Sequence, residues 1–93
     1  MFDPLLHHPV RTHIVSLLAS VDAMAYRELK EHTGLTDGNL AGYLRSLEEA
    51  HYITYEKLFE GRRPKTLYAL TPLGKSAFLA YLDALQNFVR SNQ

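Results

Sequence analysis

The fold is decided by one stretch, residues 34–50, which reads GLTDGNLAGYLRSLEEA. Leu40, Leu44 and Leu47 recur at i, i+4 and i+7, which is the spacing of one apolar stripe along a helix. The other faces of this helix are small or hydrogen-bonding rather than a mixture of Glu and Lys, and they carry Gly38, Asn39, Gly42, Tyr43, Arg45 and Ser46. Two glycines inside one helix cost about 1 kcal/mol each relative to alanine, so the pattern indicates that another molecule approaches the helix closely.

The residues just before this stretch predict a second, shorter helix and a turn. Residues 27–33 are expected to form a short polar helix anchored by Leu29, and Gly34 suits a left-handed cap at its C-terminus. Thr36 is a good N-cap for the next helix, and Asp37 in the first turn is favoured by the helix dipole. A helix, a short turn containing glycine and a second helix are the pattern of a helix-turn-helix.

The N-terminal part of the chain predicts one helix that packs in the core. Two places suit its start, Asp3-Pro4 and His8-Pro9, because proline is favoured at the first helical position. The apolar spacing that follows predicts that the helix continues to about Ser20. Residues 23–26 are too few to assign by themselves and are compatible with a single extended segment.

The C-terminal half predicts a hairpin and a long helix. Two runs of β-branched and aromatic residues, 52–55 and 66–70, flank residues 59–65, which contain glycine and proline and predict a long basic tip. Thr71-Pro72 predicts the start of a final helix that continues to about Arg90. The predicted fold class is therefore α+β, mostly α: one winged helix-turn-helix domain over residues 1–93, with a two- or three-stranded β-wing and long terminal helices.

Composition and charge restrict the classes of function. The chain has 93 residues, of which 46% are hydrophobic and none is cysteine, so one core is expected and nothing points to a disulfide scaffold. No apolar run approaches the roughly 20 residues needed to span a bilayer, and no signal peptide is visible, so a cytoplasmic protein with no membrane partner is predicted. The formal net charge is zero. Between residues 57 and 75, however, only Glu60 opposes Lys57, Arg62, Arg63, Lys65 and Lys75, and such a local basic patch predicts weak non-specific affinity for a polyanion.

Several short motifs resemble those of one protein family. They are LTDGNL at residues 35–40, LEEAHYI at 47–53, GRRP at 61–64 and LTPLG at 70–74, and the opening DPLLHHPVR at 3–11 fits the same group. Together they resemble small single-domain winged-helix transcriptional regulators related to the MarR and ArsR families, over nearly the whole chain. The resemblance implies a homodimer held by the terminal helices, a recognition helix in the major groove and a wing on the backbone or minor groove. Such sequences usually have glycine where His51 stands, so a strained or rearranged helix exit is expected there, and many carry histidine where Tyr43 stands.

The predicted contacts with double-stranded DNA lie on the second helix of the helix-turn-helix and on the hairpin tip. Gly38 and Gly42 would let the backbone approach the groove, and Asn39 has the donor and acceptor pair that suits adenine. The adjacent arginines of the tip suit phosphates or a narrow minor groove. The predicted set is Thr36, Asp37, Gly38, Asn39, Gly42, Tyr43, Arg45, Ser46, Arg62, Arg63 and Lys65. The alternative for the helix is that Asn39 and the glycines form a loose helix start and Tyr43 is partly buried. The alternative for the tip is a solvated basic turn that keeps other chains from pairing with an edge strand.

The apolar surface of the final helix is broader than one core stripe requires. Together with the N-terminal segment it predicts a homodimer interface, because isologous pairing is the commonest arrangement. The residues predicted for this interface are Leu5, Leu6, Phe78, Tyr81, Leu82, Leu85, Phe88 and Val89. The alternative is a monomer in which this helix folds back completely.

Other chemistry has little support in the sequence. The five histidines, His7, His8, His13, His32 and His51, include no pair at i, i+4, so neither a metal site nor a cofactor is predicted. The serines lack a glycine elbow and the carboxylates are scattered, so an enzyme is not predicted. The predicted function is sequence-specific binding of double-stranded DNA as a homodimeric transcriptional regulator, and the rival is a winged-helix protein-interaction module with little DNA affinity. A small-molecule effector at the dimer interface is an additional hypothesis without a pocket signature.

Overall fold

The computed structural model describes residues 1–92, which form four helices and a three-stranded antiparallel sheet. The first half contains helix α1 (Pro9–Ala19), strand β1 (Met24–Ala25), helix α2 (Tyr26–Thr33) and helix α3 (Asp37–Glu49). The second half contains strands β2 (Ile53–Glu60) and β3 (Arg63–Leu70), which form the wing, and helix α4 (Pro72–Ser91). The predicted fold class, a mostly helical winged helix-turn-helix, is confirmed.

Helix α1 begins at the second of the two predicted starts. The His8 side chain caps it, with Nδ1 accepting a hydrogen bond from the Val10 N–H at 3.2 Å. The earlier Asp3-Pro4 start leads only into a turn, in which Asp3 Oδ1 accepts from the Leu5 N–H at 2.9 Å. Both sites therefore cap backbone donors, but only the second is followed by a regular helix.

The helix-turn-helix has the caps that the sequence predicts. Gly34 ends α2 in the left-handed region, with a φ of 69°, and its N–H donates to the Lys30 carbonyl at 2.9 Å. Thr36 is the N-cap of α3, where its Oγ1 accepts from the Asn39 N–H at 3.3 Å. The turn between the helices is therefore short and fixed at both ends.

One core cluster joins all the elements. Each helix and strands β1 and β2 contribute buried side chains, and β3 adds partly buried ones. The buried set is Leu6, Ile14, Val15, Leu18, Met24, Leu29, Leu40, Leu44, Leu47, Ile53 and Tyr81. The leucine stripe of α3 thus faces inward as predicted. Leu6 and Tyr81 are also buried within the single chain, which corrects their prediction as dimer-interface residues.

The strands of the wing are longer than the sequence predicted. They are joined by a two-residue turn, Gly61-Arg62, in which Gly61 has a φ of 65°. A positive φ at the first turn position matches the twist of a hairpin, and glycine adopts it without strain. Phe59 pairs across the hairpin with Pro64, so most of residues 59–65 belong to the strands instead of a long tip. The sheet order is β1-β3-β2, which leaves β2 at one edge.

The end of α3 has the strained conformation expected at His51. This residue has a φ of 62° and is the one non-glycine residue with positive φ within residues 1–92. The His51 N–H donates to the Glu48 carbonyl at 2.9 Å, and the Tyr52 N–H donates to the Leu47 carbonyl at 3.0 Å. These two bonds form a Schellman motif, whose left-handed position is usually glycine.

Helix α4 begins next to this C-terminal end of α3. Thr71 is its N-cap, with Oγ1 accepting from the Gly74 N–H at 2.9 Å, and the Thr71 N–H donates to the Tyr52 carbonyl at 3.0 Å. A Cβ atom at Gly74 would collide with the same carbonyl group. Glycine is therefore required for this close packing, which fixes α4 relative to the end of α3.

Candidate nucleic-acid interface

The exposed side of α3 is a narrow ridge. Gly38, Gly42, Arg45 and Glu49 are all exposed and recur at i, i+4, i+7 and i+11, so they form one row opposite the buried leucines. We call this row the α3 ridge. Apart from the backbone of its own helical turns, a Cβ atom at Gly38 or Gly42 would meet no atom of residues 1–92 within 4 Å. Since glycine costs about 1 kcal/mol in a helix interior, packing within the described chain gives no reason for either residue.

The side chains that flank the α3 ridge differ in how free they are to bind another molecule. Asn39 is exposed. Its backbone N–H donates to Thr36, but its side-chain amide makes no hydrogen bond within the described part of the chain. Ser46 Oγ donates to the Tyr43 carbonyl at 2.8 Å, within the same helix. Tyr43 is half-buried, and its ring lies 5.2 Å from that of His8. Asn39 is therefore free to bind another molecule, whereas Tyr43 is held partly by the core.

Both carboxylate oxygens of Asp37 are bound by residues of α2. Tyr26 Oη donates to Oδ1 at 2.8 Å, and Lys30 Nζ lies 3.0 Å from Oδ2. The hydrogen bond from Lys30, followed by that from Tyr26, lowers the pKa of Asp37. Partial burial, followed by the bond to Asp37, raises the pKa of Tyr26 to about 12. Neither partner could be predicted from the sequence, because Tyr26 and Lys30 belong to α2 and their distances from Asp37 depend on how the two helices pack.

The wing tip presents two exposed cations. Arg62 and Arg63 are exposed, and neither forms an ion pair with a carboxylate in the part of the chain that the structure describes. Lys65 differs, because its Nζ lies 2.9 Å from Glu60 Oε2. That contact raises the pKa of Lys65 and lowers the pKa of Glu60. Exposed pairs of this kind contribute little to stability, so a phosphate could replace Glu60 at small cost.

Helix α4 has two apolar faces. The inner face packs on the core through Tyr81, with Phe78 and Leu85 partly buried beside it. The outer face stays exposed, and its members include Leu79 at 56%, Leu82 at 42% and Val89 at 51%. Phe88 is also 55% exposed, but it lies on the same side of the helix as Tyr81. Among the residues predicted for a dimer interface, Leu82 and Val89 thus lie on this exposed face. Leu79 belongs to the same face and was not in the predicted set.

The N-terminal segment packs on the inner side of α4. The Phe2 ring stacks on His7 at 4.7 Å and meets the edge of Phe88 at 5.7 Å. His7 Nδ1 lies 3.1 Å from Tyr81 Oη. Leu5, another residue predicted for the interface, is partly buried against the core. The segment therefore supports α4 from within one chain.

The histidines have dispersed roles. His8 caps α1, His7 packs on α4 and His51 ends α3. Within residues 1–92, no three His, Asp or Glu side chains lie close enough together to hold a metal ion. In the same residues, no helix combines the length and the apolar character that crossing a membrane requires.

Known proteins resemble the chain in both sequence and structure. Residues 10–89 match the model of the family described as winged helix DNA-binding domain. An uncharacterized protein of Methanocaldococcus jannaschii is 37% identical over 73 residues, which cover 78% of this chain and 79% of that protein. The structure of a transcriptional regulator homologue from Pyrococcus horikoshii OT3 superposes with a TM-score of 0.89 at 25% identity, covering 96% of this chain and 88% of the other.

A more distant structure has the same fold. A protein of Porphyromonas gingivalis W83 that is assigned to the MarR family of transcriptional regulators superposes with a TM-score of 0.72 at 23% identity, covering 96% of this chain and 85% of its own. The matched family and the matched structures are DNA-binding domains and transcriptional regulators, not enzymes. The sequence prediction of a non-enzymatic winged-helix protein agrees with these matches.

Proposed function

Because the chain belongs to the family of winged helix DNA-binding domains, we propose that it binds double-stranded DNA sequence-specifically, as a homodimeric regulator of transcription. The observation that carries this proposal is the open α3 ridge, where two glycines face empty space in a helix that would be more stable with alanine. Residues 1–93 act as one DNA-binding domain in this proposal, and the terminal helices supply the dimer contact.

Helix α3 fits the role of recognition helix. The major groove is roughly 12 Å wide, and an α-helix with its side chains is about 10–12 Å across, so each missing side chain lets the helix lie deeper. In this role Asn39 would bond adenine, while Arg45, six residues further along, suits guanine or a phosphate. Glu49 would repel the phosphate backbone, which confines close contact to the first three turns of the helix.

The neighbours of the α3 ridge have supporting roles. Thr36 caps the helix, and Asp37 holds its first turn against α2 through Tyr26 and Lys30. We assign Asp37 to positioning in preference to base contact, because both its oxygens are already bonded. Ser46 and the half-buried Tyr43 lie where they can bond a phosphate or pack on a thymine methyl group.

The wing supplies affinity that does not depend on sequence. With zero net charge, the chain has no general attraction to DNA, so local cations must provide it. Arg62 and Arg63 project from the tip without carboxylate partners in residues 1–92, and Lys65 can exchange Glu60 for a phosphate. Binding should therefore weaken as salt rises, in proportion to the number of phosphates contacted.

The outer face of α4 supports the homodimer. Its exposed apolar side chains extend from Leu79 to Val89, and a second copy could bury them isologously. Helix α4 is fixed to the exit of α3 through Thr71 and Gly74, so pairing of α4 would also set the distance between two recognition helices. The expected half-sites lie about one helical turn apart, 10 to 10.5 base pairs.

Selection of bound sequences from a random duplex pool tests the proposal. A palindromic consensus with that spacing is the expected result, and it would report function and symmetry together. If the pool shows no enrichment and random duplex DNA is not retained at low salt, the DNA-binding proposal is wrong. The rival function, a protein-interaction module built on the same fold, would then be the better explanation.

A further inference from the structure

The wing tip carries a large apolar side chain that is mostly exposed. Phe59 is 76% exposed, more than any other large hydrophobic residue of the described chain except Met1. Its partner across the hairpin, Pro64, is exposed as well. Tyr55 lies on the same face of β2 and is less exposed, at 47%, with its ring centroid 5.8 Å from that of Tyr68. Folding therefore explains the aromatic residue at the base of the wing but not the one at its tip.

Phe59 lies at the same wing tip as the cations proposed to touch DNA. Lys57 shares its face of the hairpin, whereas Arg63, paired with Glu60, projects to the opposite face and Arg62 lies in the turn. Directly opposed residues of an antiparallel pair project to the same face, so Phe59 and Pro64 form one apolar edge of the tip. If the turn only kept other chains from pairing with the edge strand, charged residues would suffice and an exposed aromatic ring would not be needed.

The combination of arginine with an apolar side chain is suited to the minor groove. Arginine is attracted to a narrow minor groove by its strong negative potential. Proteins that enter this groove frequently insert Phe, Leu, Ile, Met or Pro between base steps, which partly unstacks them and bends the duplex. The eight residues of β2 extend the wing by about 24 Å from its base, so the tip can reach a groove beside the one that α3 occupies.

We propose that Phe59 is a specificity-determining wedge, which enters the minor groove beside Arg62 and Arg63 and partly unstacks one base step. The wing then favours DNA sequences that are easily deformed at this base step. This inference rests on the proposed function, since it requires that the chain bind duplex DNA. Pyrimidine–purine steps, above all TA and CA/TG, unstack most easily. One such step is therefore expected at a fixed distance from the bases that α3 reads.

The test compares Phe59→Ser with Phe59→Leu, in which an apolar wedge is kept. The control is Leu73→Ala, which removes a side chain that is 54% exposed on α4. Duplexes from the selected pool carry 2-aminopurine at the adenine of the TA step, so unstacking appears as a rise in fluorescence. A second duplex replaces TA by the stiffer AA. Circular dichroism should show that each variant is folded, because the Phe59 side chain is mostly exposed.

The wild type, Phe59→Leu and the control should raise the fluorescence and bind the TA duplex about tenfold more tightly than the AA duplex, a difference of about 1.4 kcal/mol. Phe59→Ser should bind both duplexes almost equally and leave the fluorescence low. If the wild type binds but Phe59→Ser keeps the preference and the signal, the wedge is refuted and DNA binding stands. If the wild type binds no duplex, the proposed function itself fails.

Discussion

Lys30 Nζ lies 3.0 Å from Asp37 Oδ2, and this ion pair joins the two helices of the helix-turn-helix. Asp37 is the first residue of α3, so the contact fixes the start of the helix that carries the α3 ridge. It also neutralises a carboxylate that would otherwise repel phosphates. The arrangement thus aligns the recognition helix and removes an unfavourable charge from the proposed interface.

Replacement of Asp37 by Asn should reduce the loss of unfolding free energy that occurs at acidic pH. Asp37 has a lowered pKa in the folded state, so its stabilising contribution is present above its unfolded pKa and is lost as the pH falls through the folded value. Denaturant unfolding from pH 7 to pH 2 should show a smaller decline for Asp37→Asn than for the wild type below the ordinary value of 3.8. Glu31→Gln, an exposed carboxylate on α2, is the control and should keep the wild-type decline. Identical pH profiles for Asp37→Asn and the wild type would rule out this role for the ion pair.

The double substitution of Arg62 and Arg63 by Ala should weaken binding on every sequence. These side chains are proposed to contact phosphates, and each such contact contributes about 0.9 to the slope of log K against log salt. The slope should therefore flatten by up to about 2 units, while the sequence preference set by α3 is retained. Binding titrations at several salt concentrations measure this, with Arg90→Ala on α4 as the control. Affinity equal to that of the parent at every salt concentration would show that the wing tip does not touch DNA.

Replacement of His51 by Gly should stabilise the fold. A left-handed conformation costs an L-residue roughly 1–2 kcal/mol, and glycine removes most of that strain. The free energy of unfolding should rise by about 1 kcal/mol, which corresponds to about 4–8 °C in Tm for a domain of this size. Gly34→Ala, at the other left-handed helix cap, should shift Tm in the opposite direction. A destabilised His51→Gly variant would mean that the imidazole makes a contribution larger than the strain.

Charges placed on the outer face of α4 should dissociate the homodimer. Leu82 and Val89 are 42% and 51% exposed in the single chain, so Leu82→Glu with Val89→Glu should leave the fold intact. Sedimentation velocity should report a dimer for the wild type and a monomer for the double variant. Leu73→Glu introduces a similar charge elsewhere on α4 and should stay dimeric. A wild type that is monomeric at all accessible concentrations would refute the proposed interface.

Features set by local chemistry could be predicted from the sequence. The caps at Gly34, Thr36 and Thr71 each depend on residues within one turn, and the leucine stripe of α3 has a regular period. Each of these features needs only neighbours in the chain. The strain at His51 was expected from the resemblance instead, because the related regulators usually have glycine at this position.

Features set by distant contacts could not be predicted. Pro64 suggested a turn, yet it lies in β3, in a part of that strand that β1 does not reach, where a missing donor is tolerated. On α4 the sequence could not separate Tyr81 on the inner face from Leu82 on the outer face, because both continue an apolar pattern and only packing against the core distinguishes them. The anchoring of Asp37 by Tyr26 depends on the angle between two helices.

The glycines of the α3 ridge provide the most direct test of the central claim, that this helix is thinned to enter the major groove. Gly38→Ala and Gly42→Ala each add one methyl group into space that is empty within residues 1–92. Glu31→Ala, on the exposed side of α2, is the control for an alanine at a helical surface position. Each glycine variant should fold with up to about 1 kcal/mol more stability, because alanine favours the helix.

The deciding measurement is the affinity of these folded variants for the selected duplex, at the salt concentration used for the wild type. Gly38→Ala and Gly42→Ala should bind at least about tenfold more weakly, a loss of about 1.4 kcal/mol, although both are more stable proteins. The Glu31→Ala control should not lose affinity. Glycine variants that are stabilised and still bind as tightly as the wild type would contradict the claim that the helix enters the groove along this ridge.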